Sequence, residues 1–225
     1  MKHPITLAGH LISPTLTGQK TQTRTPLQPQ PAPIKNTWTY NLRVFATERD
    51  LRDYILDHTE PPLGQEGDLL WVRETWRYDG WTEDGLPWIR YKADDYTTFI
   101  SRRRIPRKWL KKLVIIHADL LTNPDDTGHP RDKHWRSPVT MPPWASTIPL
   151  QITDVKLERL QDMTEDDARH EGYLLRSWDS LWKTAFNKRD VKGKVFSDAW
   201  DLKHSKDGLT WDKNPWVWVT HFRQV

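Results

Sequence analysis

Two stretches near the C-terminus carry the strongest two-residue alternation of apolar and polar positions. Between Trp144 and Leu160, Ile148, Leu150 and Ile152 fall on even numbers, whereas Val155 and Leu157 fall on odd ones. This is a strand whose buried side changes at Thr153-Asp154, so a bulge or bend is predicted there. Pro215–Arg223 sets Trp216, Trp218 and Phe222 against Val217, Val219 and His221, which predicts a terminal strand. Leu69–Trp76 starts as a continuous apolar run and then alternates, as a central strand emerging toward solvent does. Ile5–Ala8 is short enough for a buried edge strand, and Asp84-Gly85 between Trp81-Thr82 and Trp88–Tyr91 predicts a hairpin turn.

Helical spacing is shorter-ranged. Leu51, Tyr54 and Ile55 share one face over 46–58, with Thr47 as the N-cap and Asp50 three residues on. Thr164-Glu-Asp-Asp167 is an approximate capping box whose acids suit a helix N-terminus, and that helix should end at Gly172. Trp178–Asn187 predicts another helix with Trp178, Leu181, Trp182 and Ala185 inward. Pro106 is placed to open a helix within Arg102–Ile116. Leu11, Ile12 and Leu16 are near helical spacing, but Pro14 limits any helix to about a turn on either side, and Gly18 ends it. Four prolines in Pro26–Pro33 predict a surface loop of polyproline character, and 122–138 also reads as a loop. The fold class is therefore α+β: one domain over 1–225, a small twisted sheet or barrel with short peripheral helices, interrupted by long insertions at about 26–62 and 95–140.

Composition changes this picture in three ways. Only 36% of the 225 residues are apolar and 28% are charged, which leaves a modest core and long loops. The 14 Trp offset this, since each large ring buries about 150–250 Å². The absence of Cys excludes disulfides and thiolate metal sites and fits a reducing cytosol. The first residues lack the apolar run of a signal peptide, and no stretch approaches the roughly 18 apolar residues of a membrane span. A cytoplasmic protein with no membrane partner is expected. The formal charge of +4 is mild, but seven of the eleven residues from Arg102 to Lys112 are basic and none is acidic. Arg102, Arg103, Arg104, Arg107 and Lys108 lead this run, which suits either a polyanion such as nucleic acid or a solvated helix face.

Gly18-Gln-Lys20-Thr-Gln-Thr23-Arg24 gathers an amine, a guanidinium, amides and hydroxyls without one apolar residue. If it runs extended after Gly18, Lys20, Gln22 and Arg24 share one side, and Thr21 and Thr23 the other.

Taken with Gly67-Asp68-Leu-Leu-Trp71-Val72, Ile148–Glu171 and Trp216–Phe222, this segment resembles the ASCH domain. Trp71-Val-Arg-Glu-Thr-Trp76, Met141-Pro-Pro-Trp-Ala-Ser146 and Asn214-Pro-Trp-Val-Trp-Val219 look like ASCH-type proteins of tailed bacteriophages and prophages. The resemblance covers about half of the chain in separated blocks. It implies a small PUA-like β-barrel in a bacterial host's cytoplasm, and binding of nucleic acid, as single-stranded RNA or DNA, or of a modified nucleoside. Some small members are amidohydrolases that remove the acyl group of N4-acetylcytidine with a Lys, a Thr and a Glu, which fall here on Lys20, Thr23 and Glu171.

In that chemistry Thr23 is the nucleophile or positions water, Lys20 is the base, and Glu171 shuttles protons. Alternation opposes the grouping, because Lys20 and Thr23 lie on opposite faces of a regular strand, so a kink between them is required. Lys20, Thr23 and Arg24 are equally an electrostatic cradle for phosphate, with Glu171 pairing to them. Arg73 and Glu74 are candidates to line the same cleft or to form a surface ion pair. Of Trp71 and Trp76, which have opposite parity, one packs inward and the other is free to stack on a base. His129 and His134 with Asp125, Asp126 and Asp132 match no metal template, and no metal or cofactor is expected. The functional expectation is nucleic-acid or modified-nucleoside binding, with acyl-cytidine hydrolysis and an interaction module for a phage or host protein as the alternatives.

Overall fold

Residues 1–122, 135–173 and 191–225 are described by a computed structural model, in which eleven strands and five α-helices form two compact units. The first unit comprises Met1, 17–69 and 151–225, and the second comprises 2–16 and 70–150. The helix expected at Trp178–Asn187 and the His129–His134 segment lie outside the described residues.

In the first unit β11 (Trp216–Gln224) lies between β2 (Gln22–Pro26) and β10 (Pro149–Arg159). Strands β11 and β2 are antiparallel in unbroken register, from Val217 opposite Pro26 to His221 opposite Gln22. The alternation expected of β11 is present, yet both of its faces are buried. Trp216 and Trp218 meet Leu51 and Ile55 of α2 (Glu48–His58), together with Leu27 and Leu157. Val217 and Val219 meet Leu160, and Phe196 and Trp200 of α5 (Val191–His204). A central strand with Trp on one side and Val on the other thus has a helical layer on each face. The N-cap of α2 is the expected one, with the Thr47 hydroxyl accepting the Asp50 amide at 3.1 Å. Along β10 burial passes from Leu150 and Ile152 to Leu157, the predicted change of parity.

The proline-rich stretch is not only loop. Ala32–Ile34 forms β3, which pairs with β4 (Thr37–Tyr40), and β4 pairs with β5 (Arg43–Phe45), a small antiparallel meander inside the first insertion. Pro33 is tolerated because β3 is an edge strand, where a missing N–H costs no ladder bond.

In the second unit β1 (Lys2–Thr6) is adjacent to β6 (Leu69–Arg73), and β7 (Trp76–Trp81), β8 (Pro87–Tyr91) and β9 (Thr97–Phe99) form an antiparallel sheet. The single strand expected over 69–76 is therefore two strands, parted at Glu74-Thr75. Gly85, at φ +71°, makes the predicted hairpin turn. After α1 (Ile12–Leu16), the long α3 (Arg107–Thr122) starts directly behind Pro106, as expected, and its Leu113 joins a core of Trp76, Tyr78, Ile89, Tyr91 and Trp144. The sheets are open, and among the described residues no barrel closes. No described helix is long and apolar enough to cross a membrane.

Candidate functional site

Gly18 adopts φ +72° and turns the chain into an extended segment. The Thr21 carbonyl accepts the Phe222 amide at 2.8 Å, so the ladder with β11 already runs in register before Gln22. Alternation then puts Lys20, Gln22 and Arg24 on one buried face, with Lys20 only 2% and Arg24 only 4% exposed. They meet α4 (Glu165–His170) and the residue after it, Glu171, itself 4% exposed.

Most of the polar groups there satisfy one another, with Arg24 Nε buried without a partner. Lys20 Nζ donates to the carbonyls of Gln22 at 2.7 Å and Glu171 at 2.9 Å, and to Glu171 Oε2 at 3.1 Å. Arg24 Nη1 donates to Glu171 Oε1 at 3.1 Å, and Nη2 to Glu158 Oε1 at 2.6 Å. Gln22 Nε2 reaches Asp167 Oδ1 at 3.0 Å. Asp167 also completes the predicted capping box, where its Oδ2 accepts from the Thr164 amide at 2.7 Å and from the Thr164 hydroxyl at 2.8 Å. Burial favours the protonated acid, but the Thr164 and Gln22 hydrogen bonds and the Arg24 charge outweigh it and hold Asp167 at about 2. Burial pushes the Lys20 ammonium down, against the attraction of Glu171.

This geometry unites Lys20, Arg24 and Glu171 and leaves Thr23 out. Thr23 stands opposite Thr220 on the other face of β2, and the kink needed to bring it to Lys20 is absent because the register continues through it. Three acceptors take the three ammonium protons of Lys20. The arrangement clamps α4 against the sheet and offers a substrate no free group at Lys20.

A different residue has the character of a site. Glu74 follows β6 on the same side as the buried Leu70 and Val72, and is 3% exposed. Its Oε2 is buried and has no hydrogen-bond partner. Burial, reinforced by the charge of Asp94, pushes its carboxyl up to about 7. Two neighbouring cavities, of about 320 and 270 Å³, are both lined by Glu74. His10, Thr75 and Lys92 line the first, and Tyr91, Asp94, Tyr96 and Thr147 the second.

The wall formed by 92–96 is pinned. Arg90 grips Asp95 with two hydrogen bonds of 2.7 and 2.6 Å, and the Tyr91 amide donates to the Tyr96 carbonyl at 2.8 Å. The Tyr91 and Tyr96 rings lie within 18° of parallel, with centroids 6.1 Å apart. The Tyr91 hydroxyl donates to the Ala145 carbonyl at 2.6 Å, which anchors that ring. Glu74 thus combines a buried oxygen without a hydrogen-bond partner with two cavities, the second of them lined by Tyr91 and Tyr96.

The remaining expected residues are dispersed. Arg73 alternates to the opposite face from Glu74, with its guanidinium 4.9 Å from the centroid of Trp71, and lines neither cavity. Trp76 is 2% exposed and forms an edge-on pair with Trp144, so it is not available as a base platform. Arg102 donates to the Gly85 carbonyl at 2.8 Å and Arg104 to the Ser146 carbonyl at 3.0 Å. Arg103, Arg107 and Lys108 are exposed. In the sequence Tyr91, Asp94 and Tyr96 carry no motif; the signal there is the bounded strand Trp88–Tyr91 leading to a cluster of acids and an aromatic.

Comparison with protein-family models, curated proteins and solved structures gives no match. Among the described residues no group of three His, Asp or Glu side chains is arranged to hold a metal.

Proposed function

We propose that the protein binds single-stranded nucleic acid and takes one base or modified nucleoside into the cleft at Glu74. The observation that carries this reading is the Glu74 carboxyl itself, buried, unpartnered at Oε2 and shared by two cavities. The phosphate backbone then falls to the basic run. Arg104 bonds the carbonyl of Ser146, next to the cavity-lining Thr147, so the run begins beside the cleft. Exposed Arg103, Arg107 and Lys108 continue it along α3. Kinship to the ASCH domain, with its PUA-like barrel and a bacterial cytoplasm, belongs to the same proposal. It is supported by β2, β10 and β11, which carry three of the resembling stretches and are adjacent strands. Acyl-cytidine hydrolysis at Lys20 is not part of it, since Thr23 lies across the strand.

Fluorescence anisotropy with single-stranded RNA and DNA oligomers over a salt series tests this. Affinity should fall steeply with salt, and the triple variant Arg103→Glu, Arg107→Glu, Lys108→Glu should weaken binding and flatten the log–log slope by roughly 2, near 0.7 per lost phosphate contact. No affinity at low salt, or a slope untouched by the triple variant, would overturn the nucleic-acid reading and leave the protein-interaction alternative.

A further inference from the structure

The two faces of the β7–β8–β9 sheet differ in what they hold. One carries Tyr78, Ile89 and Tyr91 into the core with Leu113 of α3. Alternation puts Arg77, Trp88 and Arg90 on the other, and neither Trp88 nor its cross-strand partner Phe99 joins that core. Phe99 is 53% exposed, a large apolar ring left in solvent. Its centroid lies 5.7 Å from that of Trp88 with the rings 84° apart, so the pair forms a corner of ring face against ring edge. On β7 the residue opposite Trp88 is Gly80, which places no side chain there. The chain leaving this corner is basic. The Ile100 amide donates to the Pro87 carbonyl at 3.0 Å, which keeps β9 paired to β8 until Arg102-Arg103-Arg104 begins. Arg102 Nε donates to the Gly85 carbonyl at 2.8 Å, so its charge is fixed at the hairpin end of the same sheet. Arg77 and Arg90 are already paired, with Asp79 at 3.2 Å and Asp95 at 2.6 Å. The turn itself exposes Glu83 and Asp84, against which the run sets seven basic residues and no acid over 102–112.

Resting on the reading of the protein as a binder of single-stranded nucleic acid, we infer that Trp88 and Phe99 are a stacking platform for a base of the bound strand outside the Glu74 cleft. Stacking needs a flat apolar face and tolerates any base, because every base has a π-face. A base laid on one ring of the corner meets the edge of the other, and these are the two arrangements that aromatic rings favour. The phosphates flanking that base fall to Arg102 and Arg103, three and four residues after Phe99. The net positive charge beside the corner favours a polyanionic strand over a neutral protein surface as the occupant.

The test titrates the full chain with decathymidylate and decauridylate, and with abasic decamers that have the same backbones and no bases. Phe99→Ala should bind the base-bearing oligomers about tenfold more weakly, the contribution of one stacked base, with an unchanged salt slope. Phe99→Tyr keeps a ring and should keep the parent affinity. The abasic decamers should bind the parent and Phe99→Ala equally. Because Phe99 is exposed, thermal unfolding of both variants should match the parent. Unchanged affinity of Phe99→Ala would overturn the inference while leaving nucleic-acid binding intact. So would an equal loss on the abasic decamers, which would mean that the ring does not act on bases. A loss that follows dissociation of a dimer in sedimentation would also overturn it, and would make Phe99 a contact between copies. Failure of the parent to bind either base-bearing oligomer at low salt would remove the nucleic-acid reading together with the platform.

Discussion

The Lys20 ammonium and the Glu171 carboxylate, 151 positions apart, lie 3.1 Å from each other, and Glu171 meets Lys20 with one oxygen and Arg24 with the other. Removing Glu171 leaves two buried cations without their shared counter-charge. Glu171→Ala should therefore cost roughly 3–5 kcal/mol, measured from the urea midpoint at constant slope. A loss under about 1 kcal/mol would mean that water reaches this cluster.

Thr23 gives the contrasting result. It lies on the opposite face of β2 from Lys20, and Val is a good strand former. Thr23→Val should change unfolding free energy by no more than about 0.5 kcal/mol. A cost comparable to that of Glu171→Ala would place Thr23 inside the cluster.

Asp167 sets part of the acid limb of stability. The folded state holds it at about 2 against an ordinary 3.8, so folding favours its ionised form. That stabilisation is complete above pH 3.8 and is lost as the pH falls toward 2. Asp167→Asn should be less stable at pH 7 and should lose stability less steeply between pH 4 and 2. Parallel acid limbs for the two proteins would remove this contribution.

Glu74 acts with the opposite sign. Its folded value near 7 lies above the ordinary 4.5, so the folded protein binds the extra proton and stability declines as the pH rises between these values. Glu74→Gln should match the parent at pH 4 and exceed it by about 2–3 kcal/mol at pH 8. Thermal unfolding at the two pH values reads this directly, and an equal difference at both would show that Glu74 does not titrate in that window. A stabilising substitution at this position would mark the residue as kept for binding at the expense of the fold.

Gly18 is required by conformation and not by space. Its φ is +72°, and a Cβ placed there meets nothing within 4 Å. Gly18→Ala should cost about 1–2 kcal/mol, the penalty of a left-handed L-residue, without altering the Lys20 contacts. A larger loss in calorimetry would point to a steric role.

Local rules carried much of this structure. The caps at Thr47 and Thr164, the turn at Gly85, the helix start behind Pro106 and the parity change in β10 depend on neighbours a few residues apart, and a sequence displays such neighbours. Alternation alone also grouped Lys20 with Gln22 and Arg24. The resemblance groups Lys20 with Thr23 instead, and the continuous register of β2 keeps the two on opposite faces. The meander at 32–45 was hidden because prolines suppress the strand signal while still permitting edge pairing. Glu74 was in view, but its partnerless burial depends on where Asp94, Tyr91 and Tyr96 arrive after the hairpin, a relationship with no local periodicity.

Among the described residues β2 borders its sheet on one side only. Residues bonded to β11 alternate along it, as at Thr21 and Leu27, so Gln22, Arg24 and Pro26 direct their backbone groups to the open border. There the Gln22 carbonyl is already taken by Lys20 Nζ at 2.7 Å, and Pro26 has no N–H to give. A strand from another molecule arriving at this border finds the Gln22 acceptor occupied and no donor at Pro26. The charged cluster behind β2 thus also withdraws one of the acceptors that strand pairing at this border would use.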